Sequence, residues 1–338
     1  ISRAARVRID LLSVSLKSAS ANIVKSLNPG PNTDPMVGFP SNIQRTTLFV
    51  DPVSTYCDDA LDIMDGVALA RLVRNGKLSP TELTEAAVAR ARLANPTING
   101  IVTETYDRAI EQAGRASRGP FAGVPSVIKD TDPLAGVPTL MGSRAFPRTV
   151  ASKSSRFVKH FCNLGFISLG KSNLCEFGLT ATTEPLLSGP ARNPWNPEHS
   201  TGGSSGGSAA LVAAGVVPVA HANDGGGSIR IPAASCGLVG LKATRGRLPA
   251  VDGGALAPVK IVHQGMLSRS VRDTATFYAE SEHRFPARGL PPIGLVDRPP
   301  GQRLKIGFFN TGLDGAACDE QTTQAVSATA ALCEQLGH

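Results

Sequence analysis

The stretch "TGGSSGGSAALVAAGVVPVAHANDGGGS", Thr201 to Ser228, sets two glycine–serine tracts on either side of an apolar run. The first, "TGGSSGGSAA" (Thr201–Ala210), packs four glycines and three serines into ten positions. A linker of that composition would be flanked by polar, weakly periodic sequence. Here it leads into "SAALVAAG", which reads as a small-residue helix ending at Gly215, and then into "VVPVAHA", which reads as a buried strand. Helix and strand alternating at this length point to a sheet covered by helices.

The same texture extends outward. "SSRFVKHFCNLG" predicts a helix ending near Gly165, and "FISLG" (Phe166–Gly170) a buried strand. Further upstream, "SPTE" (Ser79–Glu82) supplies a serine N-cap, a proline at the first helical position and a glutamate three residues after the cap. Leu83, Ala86, Ala87 and Leu93 then form an apolar stripe, and Asn95-Pro96 stops the helix. Towards the C-terminus, "LKIGFF" (Leu304–Phe309) reads as a strand, and Asp319 to Leu336 as a helix with Ala325, Val326, Thr329 and Leu332 on one side. A βα unit returns to its sheet through another strand, and none follows before His338, so this end reads as cut short. The expected architecture is α/β, a mixed β-sheet core with helices on both faces.

Composition bounds the function. With 41% hydrophobic and 18% charged residues in 338, the chain is globular rather than disordered. The net charge of +7 invites a nucleic-acid partner, but +3 of it falls within residues 1–40 and the rest is scattered, with no aromatic-plus-arginine pattern. Residues 1–40 read as a basic, disordered extension rather than a transit peptide, and 41–338 as one domain. The longest apolar stretch, Ser208 to Ala220, is interrupted by Gly215 and Pro218 and is too short to span a membrane. Six cysteines without CxxC spacing read as free thiols in a reducing, cytoplasmic setting, Cys175 and Cys236 among them as packed thiols. Trp195 reads as a packing anchor.

The chemistry of the first tract is open on its own residues. A phosphate loop of the form GxxxxGK[ST] needs a lysine that is absent. The nucleophile-elbow pattern GxSxG matches twice, around Ser204 and Ser205, but it is a cheap match in such a tract. The histidines it would need, His221, His263 and His283, suit structural roles equally well. The second tract says more. In "NDGGGSIRIPAASCGLVGLK" (Asn223–Lys242) three glycines precede Ser228. Consecutive glycine N–H groups can converge on one point, as an oxyanion requires, with the serine beside it. In "GPFAGVPSVIKD" (Gly119–Asp130), Lys129 ends an apolar run, where burial would leave a neutral amine able to act as a base. Alone, it would pass for a surface lysine at a strand edge.

Together with "AGVPTLMGS", "SLGKSNLCEFG", "ARNPWNPEHSTGGSSGGSAA" and "GMLSRSVRDTA", in that order along the chain, these segments resemble the amidase signature family from about Asp65 to Asp273. The resemblance implies a Ser–cis-Ser–Lys triad. Ser228 would be the nucleophile, Ser204 a proton relay after a cis bond at Gly203, and Lys129 the base. The separations of 75 and 24 residues fit. It further implies an oxyanion hole of the Gly225, Gly226, Gly227 and Ser228 N–H groups, supported by Ser205, Asp224 and Arg230. Ser208 reads as an ordinary residue opening a helix. The activity implied is hydrolysis of a small-molecule amide through an acyl-enzyme. No cofactor, metal, nucleic acid or membrane is expected, and a homodimer is compatible. The nearest look is to stand-alone amidases that include 6-aminohexanoate cyclic-dimer hydrolases. A glutamyl-tRNA amidotransferase A-type subunit and an inactive truncated remnant are the alternatives. Ala243 stands where the family commonly has proline.

Overall fold

The computed structural model describes residues 51–115, 118–146, 149–252, 261–287, 289–299, 301–312 and 314–338. The expected N-terminal extension lies outside the described residues.

Helix α1 (Gly66–Arg74) begins at Asp65, whose carboxylate accepts from the Ala68 N–H. Helix α2 (Pro80–Ile98) carries the full capping box, with Ser79 and Glu82 satisfying one another's backbone amides. It differs from expectation at its far end, running through Pro96 to Ile98 and closing on Asn99 in the left-handed conformation. The missing proline N–H falls in the last turn, and the Asn95 side chain ties the exit by bonding both N and O of Ile101. The buried stripe is Leu83, Ala87, Ala91, Ala94 and Ile98, while Leu93 falls on the outer face, 71% exposed.

Strand β1 (Ile101–Glu104), helix α3 (Tyr106–Ala113), strand β2 (Pro125–Lys129), helix α4 (Arg156–Asn163) and strand β3 (Ile167–Ser172) form the first layer. The sheet order is β1-β3-β2, with β3 antiparallel to β1 and parallel to β2. Helix α4, capped by Ser155, is the crossover that a parallel pair demands. Every residue of β2 and β3 is buried, as expected of strands covered on both faces.

A short ribbon, β4 (Arg192–Asn193) and β5 (Asn196–Ser200), leads to α5 (Gly206–Ala213). Strand β6 (Val219–Asp224), helix α6 (Arg230–Cys236), strand β7 (Val239–Gly240), strand β8 (His263–Ser268) and helix α7 (Val271–Arg284) follow. This second sheet has the order β6-β8-β7, antiparallel throughout. The two sheets meet along β2 and β6, where Ser126 Oγ donates to the Val219 carbonyl at 3.0 Å and the Lys129 N–H to His221 Nδ1 at 3.1 Å. The mixed sheet is thus built in two halves joined by side chains. Aromatic residues are few, and a group of them sits in the core, where Phe166 stacks on Phe161 at 4.2 Å and on Phe121 at 4.5 Å.

The C-terminal segment departs from expectation. Leu304–Phe309 is not a strand, and each of its six residues is exposed. A strand exists only where a neighbouring edge takes its N–H and C=O groups, and nothing among the described residues does so here. Helix α8 (Glu320–Gln335), capped by Asp319, forms as expected but buries none of its residues. All six cysteines are free. No helix among the described residues is long and apolar enough to cross a membrane.

Candidate active site

Lys129 ends β2 pointing into the seam between the sheets, fully buried. Its Nζ lies 2.7 Å from Ser204 Oγ and 2.7 Å from Asn223 Oδ1. Burial pushes the amine down to about 7, against the opposing pull of Cys175, Asp132 and Asp224. A large fraction is therefore neutral at neutral pH.

Ser204 lies in the loop before α5, and the Gly203–Ser204 peptide bond is cis. Gly203 passes against the backbone of Thr182, leaving no room for a Cβ. The Thr183 hydroxyl ties the loop together, donating to the Gly202 carbonyl at 3.0 Å and accepting from the Gly206 N–H at 3.1 Å. Ser205 Oγ donates to the Asn223 carbonyl at 3.3 Å, fastening the loop to β6.

Ser228 follows the glycine run that leaves β6. Asp224 is the clamp: its carboxylate accepts from the Gly227 N–H at 2.9 Å and the Ile229 N–H at 3.2 Å. Arg230 donates to both of its oxygens at 2.9 Å. Burial would raise this carboxyl, but the paired guanidinium and the backbone amides outweigh it and hold it below the usual carboxylate range. The clamp uses the Gly227 N–H, whose φ of +131° suits glycine. The N–H groups of Gly225, Gly226 and Ser228 have no acceptor among the described residues.

A cleft of about 430 Å³ is lined on its polar side by Ser204, Asn223, Gly225, Gly226, Ser228 and Thr131. Met141, Phe177, Leu179, Ile231 and Val262 line its apolar side. Of the sequence candidates, Lys129 and Ser204 come into bonded contact. Ser228 and the glycine amides open on the same cleft, and Ser205, Asp224 and Arg230 stand behind it. Ser228 is half-buried, and none of the described residues bonds its hydroxyl. No histidine is among the described lining residues, as the nucleophile-elbow reading would require.

Sequence reasoning missed Asn223, whose Nδ2 donates to Thr131 Oγ1 at 2.7 Å while its Oδ1 faces the lysine. The signal was the alternation in "VAHAND", which puts two polar residues, His221 and Asn223, on one face of a buried strand. Ser208 is no ordinary helix residue either. It is buried, donates to the His221 carbonyl at 2.7 Å and pairs with Ser172 Oγ at 2.7 Å. Trp195 is 59% exposed and tethered rather than packed, its indole N–H donating to the Cys236 carbonyl at 2.8 Å. Cys175 and Cys236 are buried, as expected of packed thiols. No group of three or more His, Cys, Asp or Glu among the described residues could hold a metal ion.

Comparison with known proteins bears on the family. The family model described as Amidase matches residues 82–338. AmiC of Mycobacterium leprae (strain TN), provisionally named an amidase, is 45% identical over 286 residues, covering 85% of this chain and 61% of that protein. The 6-aminohexanoate-cyclic-dimer hydrolase of Paenarthrobacter ureafaciens is 40% identical over 290 residues, covering 81% of this chain and 58% of its own. A solved structure of 6-aminohexanoate cyclic dimer hydrolase complexed with substrate superposes with a TM-score of 0.68 at 36% identity, over 83% of this chain and 60% of that one. The chain thus spans about 60% of the length of the relatives it matches. Matched over most of its length in sequence and in fold, the chain belongs to the amidase signature family.

Proposed function

We propose that the protein hydrolyses the C–N bond of a small carboxylic amide, linear or cyclic, through an acyl-enzyme on Ser228. The observation that carries this reading is the fully buried Lys129 amine, lowered to about 7 and set 2.7 Å from Ser204 Oγ. A neutral amine there accepts the Ser204 proton. Ser204 in turn takes the proton of Ser228 as its Oγ bonds to the amide carbon. Negative charge moves to the carbonyl oxygen, where the Gly225, Gly226 and Ser228 N–H groups receive it. Such donors stabilise the transition state by roughly 2.7–4 kcal/mol each where one has been removed in other hydrolases. The relay then returns the proton to the leaving nitrogen, the C–N bond breaks, and water attacks the resulting ester by the same route.

The apolar side of the cleft supports an uncharged acyl group, and the likeness to a cyclic-dimer hydrolase supports including cyclic amides. The six free thiols support a reducing, cytoplasmic setting. The test is turnover of a panel of linear and cyclic amides by the protein and by Ser228→Ala. Loss of all turnover in the variant is expected, and undiminished turnover would falsify the assignment.

A further inference from the structure

The amine of Lys129 and its own backbone N–H are joined by a closed ring of hydrogen bonds through side chains that the proposed chemistry does not use. The ring can be read from one fixed point. A backbone N–H can only donate, so His221 Nδ1, 3.1 Å from the Lys129 N–H, is an acceptor and the imidazole proton sits on Nε2. His221 is fully buried, and burial above all lowers its pKa and keeps the ring neutral. Its Nε2–H therefore donates to Gln264 Oε1 at 2.8 Å, which turns Gln264 Nε2 to donate to Asp132 Oδ1 at 2.8 Å.

The other arm ends on the same carboxylate. Asp132 is 1% exposed, and its Oδ2 accepts from Thr131 Oγ1 at 3.0 Å. With its only hydroxyl hydrogen so used, Thr131 Oγ1 can only accept, and it does so from Asn223 Nδ2 at 2.7 Å. Asn223 is left to present Oδ1 to Lys129 Nζ. No amide flip is free in this ring.

We propose that Asn223 is a positioning residue for the base: its side-chain oxygen, oriented by a ring that ends on Asp132, turns the lone pair of the Lys129 amine onto Ser204. A neutral amine has two N–H donors and one lone pair. A lone pair aimed at Asn223 Oδ1 would be repelled, so an N–H occupies that direction; the Ser204 hydroxyl, 2.7 Å away and without another acceptor among the described residues, then points its hydrogen at the amine, and the lone pair receives it. The inference rests on the amide-hydrolase reading for its meaning, but not for its test.

Other ionisable groups face Lys129 from every neighbouring element. Asp132 comes from the loop after β2, Cys175 from the loop after β3, and His221 and Asp224 from β6, while Lys171 on β3 acts on His221. Lys171 is paired with Asp130 at 2.7 Å and Asp224 with Arg230 at 2.9 Å, which offsets much of their charge. Asn223 is the β6 side chain that hydrogen-bonds the amine directly.

The test titrates Lys129 by NMR of lysine labelled with carbon-13 at Cε. The full chain is used, and the signal is assigned by its loss in Lys129→Met. Asn223→Asp puts a carboxylate in place of the amide oxygen, so the midpoint rises by about 1–3 pH units. Asn223→Leu has similar bulk and removes the acceptor, so the midpoint falls below the wild-type value. Opposite shifts support the proposal. No shift in Asn223→Asp, or a rise in Asn223→Leu, overturns it, because a packing defect that lets water reach the amine raises both. If Asn223→Asp does not fold, the direction in Asn223→Leu decides alone. Failure of Ser228 to react with a fluorophosphonate counts against the hydrolase reading only, since the titration reads Lys129 itself.

Discussion

At Lys129 two opposed effects meet in one side chain. Burial disfavours the ammonium, while Cys175, Asp132 and Asp224 favour it, and burial wins to leave a group that titrates near neutrality. The sign for catalysis follows. Below about 7 the amine is protonated and cannot accept the Ser204 proton, so under the proposed mechanism the rate of acylation is expected to fall as pH drops through that value and to level off above it. A rate flat from pH 5 to 9 would remove Lys129 from the base role. Lys129→Met keeps an apolar stem in the seam but removes the amine, and acylation should slow by roughly 10²–10⁴. It also leaves Asn223 Oδ1 without its partner, at about 1–3 kcal/mol, so the thermal midpoint should drop while the far-ultraviolet spectrum holds. At this scale the contact of Lys129 with Ser204, and the place of Ser228 on the same cleft, were legible because the tracts holding them follow a family pattern. Asn223, Gln264 and Asp132 were not, because their meaning arises only when β2, β6 and β8 lie side by side. For His221 the sequence left a structural role and a nucleophile's partner equally open, and the structure gives it a structural one, accepting from the backbone N–H of Lys129.

The elements place these side chains by close backbone contact. Helix α5 can present Ser204 and Ser205 at its start because Gly207 sits against β3's exit: a Cβ there would meet Asn173 N at 2.5 Å and the Gly100 carbonyl at 2.6 Å. Both neighbours are backbone and cannot swing aside. Gly207→Ala should cost about 1–3 kcal/mol, read as a lower denaturant midpoint, and an unchanged midpoint would show that the seat is looser than drawn. Helix α1 is held differently. Asp273, on the first turn of α7, accepts from the Gly66 and Val67 N–H groups, each at 2.8 Å. Asp273→Ala strands two helix-end amides, with an expected loss of about 1–3 kcal/mol and faster hydrogen exchange confined to α1. Most element positions could be read from caps and periodicity, which are local. One of the two misreadings was non-local. Leu304–Phe309 has strand-like sequence without a partner edge, whereas Pro96 was tolerated through a short-range tie, the Asn95 side chain bonding Ile101 six residues on.

Across the whole molecule, packing is uneven. The sheets and helices from 66 to 284 enclose a large aromatic and aliphatic core and a smaller one around Ile229, Ala233 and Leu267, whereas residues 301–309 are all exposed and α8 buries nothing. The segment after α7 is tied near its start by Glu282, which accepts from the Ile293 and Gly294 N–H groups at 2.8 Å. Beyond that tie, trypsin should cut at Arg303 or Lys305 before it cuts inside any strand or helix between 66 and 284, as mass spectrometry would show. Early cleavage within the sheets would contradict this division. The α/β class was readable from alternating short elements, but the split into two sheets was not, since the seam is made by Ser126 Oγ and His221 Nδ1 rather than by a backbone ladder. What unites the scales is the proposed pairing of a nucleophile after β6 with a base at the end of β2. The decisive measurement is the site at which a fluorophosphonate attaches, mapped by peptide mass spectrometry on the full chain and on Ser204→Ala and Lys129→Met. We expect one adduct, on Ser228, formed far more slowly in both variants. An adduct on Ser204 or Ser205, or labelling of Ser228 at the same rate without the Lys129 amine, would contradict the mechanism.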